Sequence, residues 1–259
     1  MMPFYALFGA MIGSFLNVCI YRIPEGQSVI TPGSECPNCN SKIRFYDNLP
    51  IISYLLLKGK CRSCGQAVSL RYPLVELLTA GFTTAVGTVF GMTALGGTYL
   101  VLIYILIIIT VIDVDHMIIP DRLVGLGLMT GIAAILVGAI EIGWKDAFMG
   151  SLVYGGFLYL AGVVGKRIFK KEAMGMGDVK LGIMMGLFLG WKMSVMSLYI
   201  SFLVASAVGL AAIAIGKLSR GDKIPFGPFL TVGTVIVIFF WETILEFYFS
   251  FLSQSLSIS

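Results

Sequence analysis

The sequence predicts an all-α polytopic membrane protein with about eight transmembrane helices and one small polar domain between the first two. Three observations carry that expectation. The 259 residues are 58% hydrophobic and only 12% charged, where a soluble domain would carry about a quarter charged residues. Mean hydropathy is +0.93, more apolar surface than a soluble core of this length could hide. The basic residues, finally, gather in segments that alternate with the apolar runs.

The apolar spans fall at roughly 3–21, 73–93, 98–113, 124–142, 146–165, 178–191, 194–215 and 227–252. The first is not a cleaved signal, because a signal carries its basic residues before the apolar core. Here the first basic residue is Arg22, after the stretch. That order places the N-terminus outside and Arg22 inside. The third and sixth spans are short for a crossing of about 20 residues. Each meets an aspartate at one end, so the helices are expected to run past the charge.

With the N-terminus outside, the inside segments are 22–72, 114–123, 166–180 and 216–226. They hold Arg22, Lys42, Arg44, Lys58, Lys60, Arg62 and Arg71, then Arg122, then Lys166, Arg167, Lys170, Lys171 and Lys180, and last Lys217, Arg220 and Lys223. Those are 16 of the 18 lysines and arginines, with Lys145 and Lys192 outside, as the positive-inside rule asks. A seven-span reading would scatter them. The division expected is a first transmembrane helix at 1–21, a cytoplasmic domain at 22–72 and a membrane-embedded domain of about seven helices at 73–259. No internal repeat or low-complexity tract is expected.

Segment 22–72 has turn residues (Pro32, Gly33, Ser34) and short apolar runs, and alone it is too small to build much core, so it needs a staple or support from the membrane part. Cys36 and Cys39 form Cys-Pro-Asn-Cys, and Cys61 and Cys64 form Cys-Arg-Ser-Cys-Gly, with 21 residues between the pairs. Two such knuckles read as ligands of one structural Zn²⁺. Two disulfides are the competing reading, disfavoured in a reducing cytoplasm. A redox pair would need only one CxxC. Four thiolates close the site, so the metal would stabilise rather than catalyse. Cys19, inside a span, reads as a buried thiol.

Acidic residues within apolar segments are costly and point to function. Those to weigh are Glu76, Asp113, Asp115, Asp121 and Asp178. Asp113 ends Tyr-Ile-Leu-Ile-Ile-Ile-Thr-Val-Ile-Asp, and Asp178 opens a span within Gly-Met-Gly-Asp-Val-Lys. The charge topology puts both at the cytoplasmic edge. Two carboxylates from different helices at one depth suit an aspartic protease, in which one takes a proton from water and the other donates to the scissile carbonyl. Helix capping is the bland alternative, and it suits Asp121, next to Pro120, best. On a continued helix Asp115 would point about 200° from Asp113. From residue chemistry alone, catalysis and capping both stay open for Asp113 and Asp178.

An ordered set of motifs now narrows the choice: Gly13-Ser14-Phe15-Leu16-Asn17 with Tyr21-Arg22-Ile23-Pro24, the cysteine quartet, Arg71-Tyr72-Pro73-Leu74-Val75-Glu76, Ile112-Asp113-Val114-Asp115-His116 through Ile119-Pro120-Asp121, Gly175-Met176-Gly177-Asp178-Val179-Lys180, and Ile224-Pro225-Phe226-Gly227-Pro228. With them the chain resembles, nearly end to end, the type IV prepilin peptidases, bifunctional leader peptidase/N-methyltransferases among the GxGD membrane aspartic proteases. The resemblance implies that Asp113 and Asp178 are the catalytic aspartates and that the substrates are prepilins or pseudopilins of type IV pili or protein secretion. Their short basic leader would be cut after a glycine at the cytoplasmic face of a bacterial inner membrane. It further implies methylation of the new N-terminal residue, often phenylalanine, with S-adenosylmethionine. No glycine-rich strand–turn–helix signature for that cofactor is present, so the methyl-transfer half rests on resemblance, with the cytoplasmic loop and Glu76 as contributors.

The basic inside loops answer to anionic lipid. Local acids (Glu25, Glu35, Asp47, Asp115, Asp121) are expected to receive a basic leader. His116, the single histidine, reads as interfacial. Ser14 and Asn17 read as helix glue. The aromatics from Phe239 to Phe251 read as lipid-facing and belt residues rather than a base-stacking surface, so no nucleic acid partner is expected. The helix dipole makes Asp178, opening a span, the resting base, and Asp113, closing one, the resting acid. An ion-coupled transporter would predict broken helices near the bilayer midplane and internal repeats. A zinc scaffold without activity would predict that both aspartates are dispensable.

Overall fold

The computed structural model describes residues 1–31, 33–36, 38–170, 174–217 and 224–257. The side chains of Phe45, Phe169, Tyr248, Phe249 and residues 251–257 are not among those described. Pro32, Pro37, Lys171, Arg220, Lys223 and the Phe251 side chain therefore lie outside the described residues.

The described chain is all-helical. Its α-helices are α1 (Met2–Arg22), α2 (Ile52–Leu56), α3 (Arg71–Val89), α4 (Ala94–His116), α5 (Asp121–Leu136), α6 (Trp144–Phe169), α7 (Met176–Ala214) and α8 (Gly227–Ser257), with a 3₁₀ turn at Phe45–Asn48. No strand occurs among the described residues beyond two isolated bridges, Glu35 to Lys42 and Lys60 to Ala67. Five helices (α1, α4, α6, α7 and α8) are long and apolar enough to cross a membrane, which marks a multi-pass membrane protein. As expected, α4 runs past Asp113, to His116. At 39 residues, α7 would extend about 58 Å if straight, nearly twice the ~30 Å hydrocarbon layer. It does not run straight, because Gly190 at φ 67° and ψ 176° breaks it at the end of the expected span 178–191, just before the span 194–215. A side chain at that φ would be strained.

The chain forms two compact units, Met1–Ile140 and Glu141–Ser259. In the first, α1 lies directly on α3. A Cβ on Gly9 would come within 2.5 Å of Thr83 Oγ1, and one on Gly13 within 2.7 Å of the Glu76 Cα. Gly9 and Gly13 make a GxxxG face, which lets two helix backbones approach where lipid offers no hydrophobic drive for association. The opposite face of α1 exposes Leu7, Phe8, Met11 and Phe15, large apolar side chains suited to acyl chains. Leu102, Leu106, Ile109 and Ile112 make α4 the buried centre of this unit. Thr83 bonds the Tyr104 hydroxyl at 2.8 Å across α3 and α4.

In the second unit, α6 and α7 meet backbone to backbone at Gly150 and Gly186, where an added Cβ on Gly186 would lie 2.3 Å from the Gly150 carbonyl oxygen. Deeper in the same unit, fully buried Tyr154, Ser197 and Thr234 form a hydrogen-bonded chain of 3.0 and 3.2 Å. Thr234 donates on to the Met185 sulfur at 3.3 Å. Polar side chains inside a membrane helix cluster must satisfy one another in this way.

Candidate functional site

The four cysteines come together. The sulfurs of Cys36, Cys39, Cys61 and Cys64 all lie within 4.8 Å of one another, and the group could hold a metal ion. The thiols are free, so the two-disulfide reading is not what the chain adopts. The fold makes the cluster twice with one device. In the first knuckle Cys36 N–H donates to Ser41 O and Asn40 N–H donates to Cys36 O. In the second, Cys61 N–H donates to Gln66 O and Gly65 N–H donates to Cys61 O. Asn40 (φ 54°) and Gly65 (φ 71°) both turn left-handed, a conformation open to glycine and tolerated by asparagine. The bridges that close the loops, 35 to 42 and 60 to 67, have the same offset. This local repeat went unnoticed in the sequence, although CxxC followed by Asn or Gly signals it.

Electrostatics favours a cation here. Backbone N–H groups of Cys64 and Ser63 hold the Cys61 thiol down to about 6. Cys64 has a backbone donor at Gln66 favouring its thiolate, yet local desolvation and the sulfurs of Cys39, Cys61 and Cys36 push it up to about 11. Four sulfurs this close cannot all ionise without a compensating charge. A tetrahedral, thiophilic divalent ion supplies that charge, so the donor set fits one.

Next to the cluster lies a cavity of about 880 Å³, lined by residues of α1, the 22–72 segment and the first turns of α3. Four side chains fix its walls. Arg22, buried, donates to Ser28 O at 3.1 Å and Gly33 O at 2.9 Å, strapping the start of the loop to the end of α1. Asn17, 3% exposed, donates to Tyr72 O at 3.0 Å, joining α1 to α3. It is glue, as expected, but its Oδ1 is left over. Glu76 accepts the Ile51 N–H at 2.7 Å, and Ser14 bonds the same carboxylate. Ile51 has φ 62° and ψ −49°, with Ile52 N–H reaching back to Pro50 O. This is a γ-turn, strained for a β-branched residue. Arg71 pairs with Asp115 and lies 5.6 Å from the Tyr72 ring centre.

The acidic residues expected to receive a basic leader are partly committed. Asp115 is held by Arg71, and Asp47 takes both Nε and an NH2 donor of Arg62 at 2.7 to 3.1 Å. Hydrogen bonding from Arg62 holds the Asp47 carboxyl below its ordinary value. Exposed His116 ends α4.

Asp113 and Asp178 belong to different units, and each is buried. Asp113, 5% exposed, sits in the last turn of α4. There the Met117 N–H caps its carbonyl at 2.9 Å from a left-handed φ of 55°. Exposed Asp115 is two residues on, on another face, as helical geometry requires. Asp178, 9% exposed, is in the first turn of α7. Its Oδ2 accepts from Gly175 N–H at 3.3 Å, so a capping contact coexists with whatever else this carboxylate does. Asp121 begins α5 behind Pro120, where the dipole favours its charge.

Comparison with known proteins extends over the same regions. Residues 7–90 match the bacterial peptidase A24 N-terminal domain, and residues 100–210 match the type IV leader peptidase family. A prepilin leader peptidase/N-methyltransferase of Pseudomonas aeruginosa is 34% identical, covering 95% of this chain and 92% of that protein. Proteins of the same name are 34% identical in Bacillus subtilis, over 96% of this chain and 98% of the relative, and 39% identical in Myxococcus xanthus, over 80% and 63%. No solved structure matches. With similarity running along nearly its whole length, the chain belongs to the type IV leader peptidase family, the prepilin leader peptidase/N-methyltransferases, and is an enzyme of that family.

Proposed function

We propose that the chain removes the leader of type IV prepilins or pseudopilins at the cytoplasmic face of a bacterial inner membrane, with Asp113 and Asp178 as its catalytic pair, and then methylates the new N-terminus. The carrying observation is the leader peptidase match over residues 100–210, which contains Ile112-Asp113 and Gly175-Met176-Gly177-Asp178. Burial of both carboxylates supports the reading, since surface caps need no burial. In this mechanism one aspartate takes a proton from the attacking water while the other donates its proton to the scissile carbonyl. As the tetrahedral intermediate collapses, the first passes its proton to the leaving nitrogen and the second takes back a hydroxyl proton, so the leader departs with a free carboxyl group. The dipole assigns the base to Asp178 at a helix start and the acid to Asp113 at a helix end. An infrared titration of each Asp→Asn variant tests that assignment, and it fails if the surviving Asp113 ionises at lower pH than the surviving Asp178.

The membrane reading carries eight crossings with the N-terminus outside: α1, α3, α4, α5, α6, the two arms of α7 about Gly190, and α8. The domain division 1–21, 22–72 and 73–259 goes with it. Topology reporters fused after each segment check both. The cysteine cluster is read as a structural Zn²⁺ site held by Cys36, Cys39, Cys61 and Cys64. S-adenosylmethionine, when bound, supplies an activated methyl group to the freed amine, releasing S-adenosylhomocysteine and a proton.

The deciding experiment incubates the purified, lipid-reconstituted chain with a leader-bearing prepilin. Asp113→Asn and Asp178→Asn should each abolish cleavage while preserving folding. Cleavage retained in both removes the aspartate pair and favours a scaffold role.

A further inference from the structure

We infer that the cavity between the cysteine domain and α1–α3 is the methyl-donor site, and that Asn17, Arg71 and Glu76 hold the zwitterionic amino-acid end of S-adenosylmethionine. This rests on the methyltransferase reading above. Among the described residues, the buried side-chain polar atoms without a hydrogen-bond partner are two: Asn17 Oδ1 and Arg71 Nε. Both residues line this one cavity. Leaving a buried acceptor and a buried donor unpaired is costly, and a site that does so is complementary to a ligand offering a donor and an acceptor together. Asn17 already reaches Tyr72 O, so the orphans belong to one neighbourhood at the start of α3.

The third group sets the charge. Glu76 spends Oε2 on the Ile51 N–H, but a carboxylate has about four acceptor sites and keeps capacity for an ammonium. An α-ammonium fits Asn17 Oδ1 and Glu76, and an α-carboxylate fits the Arg71 guanidinium. A peptide N-terminus brings an ammonium with a neutral carbonyl but no α-carboxylate, so it gives the Arg71 guanidinium no charged acceptor. A phosphorylated ligand would face Glu76. The cavity volume of about 880 Å³ falls within the range of small-molecule sites. The groups are also held in advance, Arg71 by Asp115 and Tyr72, and Glu76 by a strained turn at Ile51. Such strain concentrates at functional sites.

The test is calorimetric binding to the full-length, zinc-loaded protein in nanodiscs. It compares S-adenosylhomocysteine with 5′-methylthioadenosine, which lacks the amino-acid end. The wild type should prefer the former by roughly ten- to hundredfold, as charged hydrogen bonds allow. Arg71→Lys, which keeps the charge and loses Nε, and Asn17→Ala should shrink that preference at least about tenfold while binding methylthioadenosine as before. Should Asn17→Ala fail to fold, Arg71→Lys and the wild-type ligand comparison still decide. Equal wild-type affinity for the two compounds overturns the assignment, as does an undiminished preference in both variants. A raised KM for the peptide amine with unchanged nucleoside binding also overturns it, in favour of a substrate-ammonium site. A wild type that methylates prepilin yet fails these tests loses only the assignment. One that never methylates loses the methyltransferase reading itself.

Discussion

Replacing Glu76 should release the Ile51 turn without unfolding the cysteine knuckles. The Ile51 amide donates to a carboxylate at 2.7 Å, and a hydrogen bond to a charged group contributes about 1.5–3 kcal/mol. The γ-turn at Ile51 carries its own strain, of order 1–3 kcal/mol, which works against the local bonds from Ile52 N–H to Pro50 O and Leu55 N–H to Ile51 O once the acceptor is gone. In Glu76→Ala the opening equilibrium at Ile51 should therefore rise roughly ten- to hundredfold, at 1.4 kcal/mol per decade. Glu76→Gln keeps a neutral acceptor at about half the strength, for a rise of roughly three- to tenfold. Native-state hydrogen exchange reads this directly. The Gly65 amide, bonded to Cys61 O at 2.9 Å inside the second knuckle, is the internal control and should keep its protection. Unchanged Ile51 protection in Glu76→Ala would refute the clamp. Glutamine behaving like alanine would refute the role of charge. Equal losses at Ile51 and Gly65 would show that Glu76 supports the whole loop rather than one turn.

Other expectations follow from the same geometry. Cobalt replacing zinc should bind one ion per chain and give the intense visible bands of tetrahedral thiolate coordination, lost in Cys39→Ser; strong chelation should strip protection from the knuckle amides. Gly186→Ala puts a Cβ against the Gly150 carbonyl and should cost about 1–3 kcal/mol by overpacking, lowering the unfolding midpoint. Gly156→Ala, which meets nothing within 4 Å, should be neutral or mildly stabilising. The Asp47 carboxyl is lowered by Arg62, so its contribution is complete above the ordinary carboxylate range and fades as pH falls through its depressed value. Because the Arg62 side of the pair is exposed, Asp47→Asn should alter loop protection by a few-fold at most at neutral pH, and the difference should shrink in about 1 M salt.

The parts of this molecule legible in sequence are those that composition or short spacing encodes. Runs of Ile and Leu announced α4, paired CxxC motifs announced the cysteine cluster, and aspartates at the ends of apolar runs stood out because charge there is costly. The break in α7 was legible only as a division between spans. Residues 181–214 are apolar or small apart from Lys192 and a few serines, and the turn depends on one glycine at positive φ, Gly190. Apolar periodicity does not distinguish that glycine from its neighbours. The cavity was illegible for another reason. Asn17, Arg22, Ile51, Arg71 and Glu76 come from separate stretches, and only packing α1 onto α3 through Gly9 and Gly13 makes them neighbours. A polar residue four positions after a GxxxG, as Asn17 follows Gly9 and Gly13, was the available signal.

That packing also explains why segment 22–72 needs more than its cysteines. Three helix residues bond to loop or helix-start backbone: Arg22 to Ser28 and Gly33, Glu76 to Ile51, and Asn17 to Tyr72. All three are buried, so each helix bears a desolvated polar group that takes a backbone partner from the 22–72 segment. Stability therefore passes in both directions. The cysteine cluster gathers the far end of the loop, and the polar residues of α1 and α3 fix its base. An apolar replacement at any of the three would ease the helix and free the loop, which is the opposite of what a site built to hold a small polar molecule requires.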